Sequence, residues 1–187
     1  METSLVAMGA VLAGAAFICL IGYNRLIALD SRCDKANADI DVQLKHRHSI
    51  IPNLLELVKG YMAHELQTIE AIGKARQAAM TAPTSEARQQ AEAALGKHLN
   101  RIVLTAEQLP TLHANEHFRA LRKELADAEN KIAASRRFLN LAVDEFNASL
   151  RQFPNGIFAG VAHLSRRNFF DLGYERPAAE EGPSIKF

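Results

Sequence analysis

From Thr3 to Asn24 the chain carries no Asp, Glu, Lys, Arg or His. Those 22 residues are mostly Leu, Val, Ala, Ile and Phe. A helix of that length covers the roughly 30 Å of a hydrocarbon core. A cleaved signal peptide carries positive charge ahead of its apolar run, and only Met1 and Glu2 stand there. A lipoprotein site needs a small residue before its cysteine, and Ile18 precedes Cys19. Residues 1–24 therefore read as an uncleaved transmembrane anchor in contact with the lipid bilayer, with Tyr23 at an interfacial position. Arg25, Arg32 and Lys35 follow the run and no basic residue precedes it. The positive-inside rule then puts the N-terminus outside and the domain in the cytoplasm. Gly9 with Ala13, and Ala10 with Gly14, are small residues four apart. Such spacing permits close pairing of spans in a homo-oligomer.

The remainder reads as all-α. From Arg25 to about Met80 apolar residues recur at threes and fours: Leu26, Leu29, Cys33, Ala36, Ile40, Leu44, then Ile51, Leu54, Val58, Tyr61, Ile69 and Ile72. Pro52 interrupts the run, but the stripe crosses it in phase, which favours a kinked helix over a hairpin. Thr81–Ser85 is a break, with Thr84 or Ser85 as cap of a helix reaching about Gln108. Its inner face holds Ala91, Leu95, Leu99, Ile102 and Ala106. Leu109–Ala114 is a connector around Pro110, and Asn115 caps the last long helix. There the stripe is close to heptad and coiled-coil-like: Leu121, Leu125, Ala128, Ile132, Ser135, Leu139, Ala142, Phe146 and Phe153. The helix is expected to end at Phe153, before Pro154-Asn155-Gly156. The expected organisation is an N-terminal transmembrane helix (1–24), an antiparallel four-helix bundle with long helices (25–155), a short amphipathic segment (156–174) and a disordered tail (175–187). Residues 157–170 combine Ile157, Phe158, Val161, Leu164, Phe169 and Phe170 with His163, Arg166 and Arg167. They could lie in the membrane interface or tuck against the bundle's open end.

Several runs resemble the LemA family. They are Tyr23-Asn24-Arg25-Leu26, Ala38–Lys45, Arg47-His48, Ile51–Leu54, Val58–Tyr61 and His64-Glu65. Later come Ala114-Asn115-Glu116 with Phe118, Glu129-Asn130 with Ile132-Ala133, Arg136-Arg137 with Asn140, and Phe146-Asn147. Phe153-Pro154, Phe169-Phe170 and Phe187 complete the pattern. Asn37, where the family usually has an aromatic residue, and His46, where it has Arg, depart from it. The resemblance implies a bacterial, membrane-anchored four-helix bundle with no established enzyme activity. It also implies a protein partner, a membrane zinc metalloprotease, in envelope quality control.

No chemistry-bearing motif stands out from the residues themselves. His46 and His48 point to different sides of a helix, and the cap at Asn115 separates His113 from His117. No metal site and no cofactor is expected. Cys19 and Cys33 would lie about 21 Å apart on one helix, beyond disulfide reach. No serine sits in a nucleophile elbow, and no glycine-rich phosphate loop occurs. A net charge of +1, without a basic patch interleaved with aromatics, argues against nucleic acid as a partner. The densest polar run is Asp39, Asp41, Gln43, Lys45, Arg47 and His48. Its simple reading is a solvated, salt-bridged face with Asp41 and Lys45 paired one turn apart. Its sharper reading is a partner-docking surface. Asn130, Arg137, Asn140, Asp144 and Asn147 form a polar stripe in the last helix. The stripe either faces solvent or forms an interhelical hydrogen-bond network. Ser184–Phe187, with Ile185 and Phe187 alternating before the carboxylate, could be captured by a partner through strand addition.

The functional expectation is a membrane-anchored adaptor or scaffold without catalytic activity. Partner-binding residues would be Asp39, Asp41, Lys45, Arg47, His48, Ile185 and Phe187. The alternatives are a self-assembling membrane-remodelling protein and an unrecognised membrane-associated hydrolase.

Overall fold

A computed structural model describes residues 2–170. Among the described residues the secondary structure is helical and contains no strand. The helices are α1 (Glu2–Lys59), α2 (Leu66–Thr81), α3 (Ser85–Glu107), α4 (Pro110–His113), α5 (Glu116–Ser149) and α6 (Asn155–Val161). The chain divides into two compact units: Asp41–Ile132, and Met1–Ile40 with Ala133–Phe187. Helices α1 and α5 supply residues to both.

Helix α1 contains a stretch long and apolar enough to cross a membrane, near the N-terminus, and its most apolar window is not buried in the protein. The helix then continues through Pro52 to Lys59. Proline lacks an N–H, so the carbonyl four residues earlier loses its helical donor. That carbonyl belongs to His48, and Arg76 of α2 supplies the missing donor, its Nε donating at 3.0 Å. A buried carbonyl left bare would cost about 1–3 kcal/mol. The replacement donor explains how the helix tolerates proline without a break.

The break comes instead at Gly60. The expectation of one helical run from Arg25 to Met80 is corrected here. Gly60 N–H and Tyr61 N–H turn inward to the carbonyls three residues back, Leu57 and Val58, and Met62 leaves helical geometry with φ −131°. Glycine costs about 1 kcal/mol inside a helix, so the chain stops there readily. Tyr61, read as part of the core stripe, is exposed, while the next residue, Met62, is fully buried. A single 3-10 turn, Ala63–Glu65, leads into α2.

The 41–132 unit is organised around one apolar cluster. Ile50, Ile51, Leu54 and Val58 come from α1, Met62 from the turn, and Ile69 and Ile72 from α2. Leu95, Leu99, Ile102 and Ala106 come from α3, Leu112 from α4, and Phe118, Leu125 and Ala128 from α5. Both caps read from the sequence are made. Thr84 Oγ1 accepts from Ala87 N–H at 3.1 Å, and Asn115 Oδ1 accepts from His117 and Phe118 N–H at 2.9 and 3.2 Å.

In the other unit the buried apolar residues are Leu26, Cys33, Ala36 and Ile40 of α1 and Leu139, Ala142, Val143 and Phe146 of α5. Arg32 joins the two helices, donating to Glu145 at 2.5 Å with its guanidinium over the Phe138 ring. Helix α5 ends at Ser149, and Phe153 is 85% exposed. The expected helix end and core role at Phe153 are thus corrected: the heptad stripe outruns the helix. Gly22 is where residues 154 and 155 come close to α1. A Cβ there would sit 2.7 Å from Asn155 Oδ1 and 3.5 Å from Pro154 Cγ, so a side chain at 22 would require the Asn155 amide to shift. The expected disordered tail (175–187) lies outside the described residues.

Candidate functional site

Burying a charge is costly unless it is paired, so buried charged side chains mark where the fold commits to a polar arrangement. In the 41–132 unit they are Arg47 and His48 on α1 and Glu92 on α3. Arg47 Nη2 and His48 Nε2 (2.8 Å) both reach the Glu92 carboxylate, one oxygen each. Arg47 Nη1 donates at 2.6 Å to Glu129 of α5, whose side chain is 42% exposed. One arginine thereby ties three helices. Burial alone would raise the Glu92 carboxyl, but the hydrogen bond from His48 and the charge of Arg47 outweigh it and hold the group below its ordinary value of 4.5. An ionised Glu92 only accepts, so His48 Nε2 is the donor in that bond. Arg47 Nε and His48 Nδ1 are buried without a hydrogen-bond partner among the described residues.

Beside this cluster opens a cavity of about 420 Å³. Its lining includes Lys45, His48, Arg76, Met80, Arg88 and Glu92. Asp41 pairs with Arg88 of α3 at 2.8 Å rather than joining Lys45 as expected. Lys45 is exposed. Asp41 also lines the cavity, and with Arg88 and Glu92 already paired, Lys45 is the exposed charge left beside apolar Ala79 and Met80.

The polar face read from the sequence does not survive as one surface. Arg47 and His48 are interior, and the expectation that they face solvent or a partner is corrected: Glu92, brought from α3, draws them inward. Asp39 and Lys45 are exposed and Asp41 is half-buried. Asp39 belongs to the other unit. Ile185 and Phe187 lie outside the described residues. Among the described residues no group of three or more His, Cys, Asp or Glu is placed to hold a metal ion.

A second polar arrangement, missed in the sequence, lies in the unit that contains Met1–Ile40. Arg167 reaches two α1 carboxylates, Nε donating to Asp30 Oδ1 at 2.8 Å and Nη1 to Asp34 Oδ1 at 2.6 Å. The hydrogen bond to Asp34, with Asp30 adding, pushes the guanidinium further toward its charged form. Nearby Cys33 is fully buried, and burial pushes its thiol up. Asn140 and Asn147, read as part of a polar stripe, instead bind the backbone of residues 170 and 167. The signal available was two asparagines seven apart on one helix face, without any sign of what they would hold.

A family model described as the LemA family matches residues 36–187. Magnetosome protein MamQ 1 and Magnetosome protein MamQ 2 of Paramagnetospirillum magneticum are each 22% identical over 198 residues, covering 91% of this chain and 72% of theirs. Magnetosome protein MamQ of Magnetospirillum gryphiswaldense is similar to the same extent, 22% identical over 198 residues.

Proposed function

The chain belongs to the LemA family, and from that premise we propose that it is a membrane-anchored helical adaptor or scaffold of the bacterial envelope, without catalytic activity of its own. The observation that carries this reading is the continuity of α1. The apolar stretch and the first helix of the 41–132 unit are one helix with no linker between them. A partner docked on that unit is thereby held at the bilayer. The chemistry fits binding better than catalysis. The buried Glu92 is held ionised by partners that occupy both its oxygens, which suits a structural role and not proton transfer. The docking face in this reading is the cavity mouth with Lys45 and Arg76, and the partner is an acidic segment of a membrane protein such as the metalloprotease the family resemblance implies.

Crosslinking with mass spectrometry on the full-length protein in native membranes tests the proposal. The expected result is a defined second protein linked to Lys45, whose copurification with the chain is lost when Lys45 is changed to Glu. Self-crosslinks alone would replace the adaptor with a self-assembling, membrane-remodelling protein.

Orientation follows from Arg25, Arg32 and Lys35 beside the span. A cysteine at the exposed position Gln90, in a chain with Cys19 and Cys33 changed to Ser, reports it. A membrane-impermeant maleimide should label it only after permeabilisation. Labelling in intact cells would place the domain outside.

A further inference from the structure

Residues 164–170 are non-helical and are held along α5 by two asparagines. Asn147 Nδ2 donates to Arg167 C=O at 2.9 Å while its Oδ1 accepts from Arg167 N–H at 3.0 Å. Asn140 does the same to Phe170, at 3.2 and 2.8 Å. Each amide thus satisfies both main-chain groups of one residue, as a neighbouring β-strand would. The spacing is commensurate. Seven helical residues rise about 10.5 Å, and three extended residues span about 10 Å. Three helical residues would cover only about 4.5 Å, so the segment between the clamps is extended. Side chains add selectivity, with Arg167 between Asp30 and Asp34 and the Arg136 guanidinium 4.8 Å from the Phe170 ring centre. The surface therefore reads an extended segment with Arg followed three residues later by Phe.

We propose that this surface is a segment-binding site and that its second occupant is the 164–170 segment of another copy of this chain, so that copies exchange straps. Every contact that holds the strap is non-covalent and lies within one unit, so it is equally available to a second copy. The charge and aromatic pattern the surface demands is the one this chain carries. A hinge stands just before the strap: His163 is held at φ 53°, a left-handed conformation unfavourable for a residue with a Cβ, and exchange lets it relax. A shared bilayer would raise the local concentration of straps and so favour exchange.

Two full-length chains test this in detergent by native mass spectrometry. One carries Arg167→Asp, and the other carries Asp30→Arg with Asp34→Arg. Each is mismatched with itself and matched with the other. The mixture should give a one-to-one heterodimer that neither gives alone. A mixture that stays unassociated, or either chain alone dimerising as wild type does, would overturn the proposal. His163→Gly leaves all charges in place and keeps the test decisive if charge reversal unfolds the chain. The closed monomer and the exchanged dimer make the same clamp contacts, so exchange is favoured by the hinge strain it relieves, and the wild-type dimer, rising with concentration, should fall by roughly tenfold when glycine removes that strain. An unchanged dimer in His163→Gly, or a wild type monomeric at every concentration, would also overturn it.

Discussion

Glu92→Gln is expected to lower the unfolding free energy by roughly 3 kcal/mol, and the melting temperature by roughly 6–12 °C for a chain of this size. The substitution keeps the shape of the side chain and removes its charge. Arg47 is then left buried with only the half-exposed Glu129 opposite it, and His48 loses an ionised acceptor. Removing one partner of a buried pair costs about 3–5 kcal/mol, and the remaining Glu129 places this case at the low end. The pair itself need not be stabilising relative to apolar residues. Arg47→Met combined with Glu92→Met should therefore lose less than Glu92→Gln alone, a coupling that two separate losses would not show. Chemical denaturation of Glu92→Gln, the double variant and its two single Met variants beside wild type measures it. Additive losses would mean that the two side chains act independently.

The same substitution changes the acid limb of stability. Glu92 is held below 4.5 in the folded protein, so the unfolded chain takes up its proton first as pH falls. Its contribution is fully present above that value and is lost as pH drops through the lower, folded value. Wild type and Glu92→Gln should therefore differ most near neutrality and converge in acid. A constant difference down to low pH would show that Glu92 is not ionised in the fold.

Local rules reached far into this chain and stopped where distant partners decide. Thr84 and Asn115 were legible as caps because a cap needs only the next three residues. Leu95, Leu99, Ile102 and Ala106 were legible because one buried helix face repeats locally. The turn at Gly60 was hidden because Val58, Met62, Ile69 and Ile72 keep near-helical spacing across it. Arg47 and His48 read as surface because charge usually is, and nothing near them announces Glu92, 45 and 44 residues away. Asn140 and Asn147 hold main chain, which leaves no side-chain signature at residues 167 and 170. Pro52 was legible as a perturbation, but its compensation by Arg76 depends on α2 packing beside α1, which periodicity does not report.

Leu12→Arg with Phe17→Arg carries the largest expected effect, because the whole account hangs on a tethered domain. Thr3–Asn24 holds eight Leu, Ile, Val or Phe residues, worth roughly −2.4 to −4.8 kcal/mol for insertion. Arginine near the centre of a span costs about 2.5–3.5 kcal/mol, so two of them cost about 5–7 kcal/mol and reverse the sign. Leu12 and Phe17 are each 64% exposed, so the change disturbs no packing within the protein. The decisive measurement is the partition of both chains between carbonate-washed membranes and the soluble fraction. Wild type is expected in the membranes and the double variant in solution with unchanged helical circular dichroism. A wild type that washes off, or a double variant that stays bound, would contradict the anchor and with it the scaffold.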